Sequence, residues 1–147
     1  MSWESIWINK KVTDEEIKSS LAKLLLTSQE LIILQSEQLT LDTVDNHIKI
    51  VCGKFKYRGD FPIMLELIFM DLSLIPQDKY GFIGNLCKLL KCNCLVTFPT
   101  GSPYHFILIE DYGIYKKVAL DADLLDSEEP SDAQLHILKT IKTFVSE

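Results

Sequence analysis

Arginine is almost missing from this chain. Of 15 Lys and Arg residues only one, Arg58, is arginine, and the formal net charge is −6. Arginine is the side chain best suited to bidentate contacts with phosphates and base edges. Its scarcity in an acidic protein therefore excludes nucleic acid as the main partner. Long apolar runs are missing too. The longest, Phe61–Met70, is interrupted by Glu66 and is shorter than a bilayer-crossing helix needs, so no membrane partner is expected. The opening Met1-Ser2-Trp3-Glu4-Ser5 has no basic region followed by an apolar stretch, the pattern of a secretory leader, and a cytoplasmic location is expected. Catalytic signatures are lacking as well. There is no G-x-S-x-G, no H-E-x-x-H and no phosphate-binding P-loop, and no cofactor is expected.

Cysteine is present but not in a metal-binding pattern. Cys87, Cys92 and Cys94 are spaced C-x4-C-x-C, with Cys52 distant and the histidines His47, His105 and His136 scattered. Structural zinc asks for paired C-x2–4-C ligands and four donors in all. No metal site is expected; the thiols read as reduced, small apolar core residues. Asp121-x-Asp123 opens like a calcium loop but lacks the glycine and the distal glutamate that such a loop requires.

What is present is an ordinary globular composition, 47% hydrophobic and 24% charged, in a length that fits one domain, 1–147. Alternation predicts a first strand over Ser5–Ile8. Thr13-Asp14-Glu15-Glu16 forms a capping box ahead of Ile17, Leu21, Leu24 and Leu25, which predicts a helix over Asp14–Leu26. Leu31–Leu34 reads as a short buried strand and 38–45 as loop. Residues 47–58 and 62–70 form a plausible hairpin, although the spacing of 62–70 also admits a helix. Ile83, Leu86, Cys87 and Leu90 predict a second helix over Gln77–Lys91. Strands follow at 93–98, 104–110 and 113–120. Ser131, with Gln134 completing a capping box, predicts a last helix that buries Ile137, Leu138, Ile141, Phe144 and Val145. Consecutive strands outnumber strand–helix alternations. The expected class is therefore α+β, a mixed or mainly antiparallel sheet with about three helices packed on it.

Charge is distributed unevenly along the chain. Between Glu110 and Asp132 there are eight acids and only two bases, so this stretch sums to −6 and the rest of the chain to zero. Glu128, Glu129 and Asp132 sit where they favour the dipole of the expected last helix. Glu110, Asp111, Asp121, Asp123 and Asp126 flank a strand and its exit, and suggest an acidic patch at one sheet end. Such a patch steers association with a cationic protein surface. The candidate partner-binding residues are thus Glu110, Asp111, Tyr112, Asp121, Asp123, Asp126, Glu128 and Glu129, with Tyr112 and Tyr115 as aromatic anchors.

Other constellations have plainer readings. Lys54, Lys56 and Arg58 alternate with Phe55 and Tyr57, so charge and rings lie on opposite strand faces. A single-strand-binding platform needs both on one face; a solvated face over a buried one fits better. The turn Thr100-Gly101-Ser102 beside Pro103 has too few successive amides to cradle a phosphate. His105, at the start of a strand, could pair with Cys94, Cys52 or a carboxylate as a small catalytic unit.

The opening Trp7-Ile8-Asn9-Lys10-Lys11 before a capped helix, the acidic stretch Leu120–Asp132 and the want of a catalytic motif together resemble the small acidic immunity proteins of bacterial toxin systems, including contact-dependent growth inhibition. The resemblance implies an intracellular, non-catalytic α+β protein that binds a cognate toxin domain and blocks it. A nuclease toxin would offer the cationic surface that phosphate binding demands. The chain is also similar in size and charge to type III secretion chaperones, but those typically begin with a helix rather than a strand.

Overall fold

The computed structural model describes residues 3–36, 39–99, 101–111, 114–127 and 133–145. The strands are β1 Glu4–Ile8, β2 Ile32–Ser36, β3 Ile50–Lys56, β4 Ile63–Phe69, β5 Cys94–Thr97, β6 His105–Asp111, β7 Ile114–Leu120 and β8 Ile137–Val145. The helices are α1 Asp14–Leu25, α2 Lys79–Leu90 and the short α3 Ala122–Leu125. All eight strands join one mixed sheet in the order β2-β3-β4-β1-β5-β6-β7-β8. The fold is α+β.

Local chemistry sets the helix ends. Thr13 Oγ1 accepts from the Glu16 amide at 3.1 Å, and Glu16 Oε1 accepts from the Thr13 amide at 3.1 Å, a reciprocal capping box at the start of α1. Asp78 caps α2 by accepting from the Gly81 amide at 3.0 Å. A Cβ on residue 81 would meet the capping carboxylate, so the cap in this position favours glycine there. The Trp7–Lys11 segment joins elements distant in sequence. Asn9 Oδ1 accepts from the Asn93 amide at 2.8 Å, and Lys10 Nζ donates to the Leu90 carbonyl at 3.1 Å, where α2 leaves its last carbonyls unpaired.

Both faces of the sheet are apolar. On one, Ile6, Ile50, Leu65, Leu67 and Cys94 pack beneath Ile17 and Leu21 of α1 and Ile83 and Leu86 of α2. On the other, Leu95, Phe106, Leu108 and Val118 pack against Phe61 and Leu135, with Leu125 of α3 at the margin. The parallel β2–β3 pair needs a crossover rather than a tight turn. That crossover places Leu39, Leu41 and Val44 over Val51 and Ile68, covering the second face at its far end.

The expected last helix is a strand. β8 pairs antiparallel with β7, and its register slips twice: Lys117 faces Lys142 but Val118 faces Thr140, and Ala119 faces Lys139 but Leu120 faces Ile137. Ile141 and Leu138 fall in the two gaps. Each is the extra residue of a bulge, and they are 42% and 61% exposed. The two insertions convert a strand's period of two into apolar spacings of three and four, which reads as helical in sequence. Ile141 and Leu138 are therefore not core. The proposed cap, Ser131, lies outside the described residues, and Gln134 instead bridges to Arg58.

Candidate partner-binding surface

The sheet divides the acids of 110–132 into two groups. Glu110 and Asp111 lie at the end of β6, beside the start of β7, whereas Asp121, Asp123 and Asp126 follow the end of β7. β7 has seven residues, so the groups stand about 20 Å apart at the strand's rise per residue. Among the described residues, Glu110 and Asp111 therefore do not share the sheet end of Asp121, Asp123 and Asp126 that the sequence led us to expect. Tyr112, Glu128, Glu129 and Asp132 lie outside the described residues.

Glu110 is also neutralised locally, since its Oε2 accepts from Lys116 Nζ at 2.8 Å. The second group differs. Asp121 is the N-cap of α3, and its Oδ1 accepts from the amides of Asp123 at 3.0 Å and Leu124 at 3.3 Å. Asp121 is thus committed to the turn. It holds Asp123 and Asp126 outward, and both are exposed. The Tyr104 hydroxyl, from the loop before β6, donates to Asp126 Oδ2. This hydrogen bond, and then the carboxylate's charge, raise the Tyr104 phenol above its ordinary value. The result is a fixed turn carrying two solvated carboxylates and an aromatic ring.

His105 pairs with neither Cys94 nor Cys52. His105 starts β6, while Cys94 is registered against Ile109, so the two lie about 13 Å apart along the strand. Cys52 is on β3, four strands away, at about 19 Å. His105 Nδ1 has no hydrogen-bond partner among the described residues. Cys52 is fully enclosed, and burial pushes its thiol up to about 12. Hydrogen bonding to Cys87, and then burial, push Cys92 up as well. All four cysteines are free and buried. Among the described residues no group of His, Cys, Asp and Glu could hold a metal ion, and no helix is long and apolar enough to cross a membrane.

The basic stripe is partly structural. Lys54 Nζ bonds Asp14 Oδ1 and the Val12 carbonyl, each at 2.9 Å, which fixes the start of α1 to β3. β3 lies inside the sheet between β2 and β4, so these lysines do not guard an edge. Tyr57 turns to the opposite face and meets Trp7 edge-on, with ring centroids 6.1 Å apart.

Sequence reasoning missed an aromatic cavity on the other face of the β6–β8 wing. Tyr80, Phe98, Pro99, Ile107, Tyr115 and Phe144 line a partly open hollow of about 280 Å3. Its residues come from α2, the loop after β5, β6, β7 and β8, and only the sheet order brings them together.

No protein-family model, no curated protein and no solved structure matches this chain.

Proposed function

We propose that the protein is a non-catalytic, immunity-type inhibitor that neutralises a cognate basic protein toxin through the acidic turn around α3. The observation that supports this most is the pairing of exposed Asp123 and Asp126 on a turn already fixed by the Asp121 cap and the Tyr104 hydroxyl. Preorganised carboxylates lose little side-chain freedom on binding. They steer a cationic surface quickly and compete with the phosphates that a nuclease toxin would grip. Tyr104 adds contact area of the kind that anchors interfaces. Glu128 and Glu129 follow Asp126 closely in sequence and extend the same negative segment. Glu110, paired with Lys116 and remote, does not belong to it.

The buried thiols, and a His105 whose Nδ1 has no hydrogen-bond partner among the described residues, favour this reading over a Cys–His enzyme. The test is affinity capture from the source cells with the wild-type chain and with Asp123→Lys/Asp126→Lys. A basic protein held by the first and lost by the second is expected. Equal capture by both would refute the assignment of the surface.

A further inference from the structure

The aromatic cavity lies on the helix-covered face of the sheet, opposite the face that Leu125 of α3 joins. Its lining is nearly all apolar, and two cations outside that lining lie over two of its rings, on the same sheet face as Ile107 and Tyr115. Lys117 Nζ lies 4.5 Å from the centroid of the Phe98 ring, and Lys142 Nζ lies 4.9 Å from that of Phe144. Lys117 and Lys142 are also direct register partners across β7 and β8. Like charges placed opposite one another on antiparallel strands repel. Among the described residues, neither ammonium has a carboxylate within ion-pair distance. In a chain of net charge −6, an unneutralised lysine pair beside an apolar hollow is an arrangement complementary to an amphipathic anion.

We propose that this cavity binds a small amphipathic carboxylate. Its apolar body lies among Tyr80, Phe98, Tyr115 and Phe144, and its carboxylate bridges Lys117 and Lys142. A hollow of about 280 Å3 admits a small organic anion and not a macromolecular segment. Phe98 and Phe144 are half-buried, and a lysine resting on such a ring is held only modestly. A charge-assisted hydrogen bond to a carboxylate is stronger, so both ammonium groups gain by turning to the ligand. The anion also relieves their mutual repulsion.

Calorimetric titration of the full chain with decanoate, below its micellar concentration, tests the site. Decanol and acetate serve as the neutral and the tail-less probes. Decanoate is expected to bind saturably at one per chain, with decanol and acetate each weaker by roughly tenfold or more. Lys117→Gln/Lys142→Gln is expected to weaken decanoate by a similar factor and to leave decanol unchanged. No saturable decanoate binding would overturn the proposal. So would equal affinity for decanol, or unchanged decanoate affinity in the double variant. The probe comparison on the wild-type chain is decisive even where the variant folds poorly.

Discussion

The strand assignment of β8 makes a quantitative distinction between two apolar residues. Leu65 is fully buried in β4, registered against Lys54 of β3 and Ile6 of β1. Leu65→Ala removes three carbons from a site closed on both sides, and the surrounding sheet cannot collapse to fill the space. The expected cost is about 3–5 kcal/mol. For a chain of this length that lowers the melting temperature by roughly 6–20 °C. Ile141 is the extra residue of a bulge and is 42% exposed. Ile141→Ala loses only part of its burial and some β-propensity, no more than about 1 kcal/mol. Urea unfolding followed by circular dichroism measures both, and unchanged slopes establish that native-state stability has altered. Were 137–145 a docked helix, Ile141 would face the core and its truncation would cost as much as that of Leu65. An Ile141→Ala loss above about 2 kcal/mol would refute the bulged strand.

Thr13→Ala removes the side-chain half of the α1 capping box and is expected to cost about 1 kcal/mol. Hydrogen bonds from the Thr13 backbone and then its side chain hold the Glu16 carboxyl below its ordinary value. Its contribution is therefore present above the unfolded carboxylate pKa and lost as pH falls through the folded one. Thr13→Ala removes the hydroxyl and leaves the backbone donor, so it should flatten only part of that acid limb in a pH series of unfolding curves. All four cysteines should resist a soluble disulfide reagent in the native protein and react on unfolding; a thiol titrating rapidly in the folded state would contradict their burial. Ultraviolet titration should find the Tyr104 phenolate forming later than in Asp126→Asn, because the carboxylate opposes a second negative charge. An unchanged transition in that variant would show that the hydroxyl does not bond Asp126.

Much of the fold was legible because local signals agreed with the tertiary outcome. Thr13 and Glu16 announced α1, and the 47–58 and 62–70 runs announced the β3–β4 hairpin. β8 was not legible, because Leu138 and Ile141 mimic helical spacing by occupying bulges, and register slips leave no sequence mark. The acidic surface was only half legible. Counting found the excess of acid, but β7 separates Glu110 from Asp121, and hydrogen bonds assign Asp121 to capping. The Tyr80–Phe144 cavity had no signal, since its rings are distant in sequence and meet through strand order.

The most direct test of the acidic turn is the salt-dependent affinity of the captured basic protein for the wild-type chain and for Asp123→Lys/Asp126→Lys, with matched melting curves as the control for folding. Reversal of two exposed carboxylates should slow association and weaken binding steeply at low ionic strength, and the difference should shrink at about 1 M salt, where the screening length falls to roughly 3 Å. An affinity that neither the reversal nor the salt alters would contradict the turn's role as the binding surface.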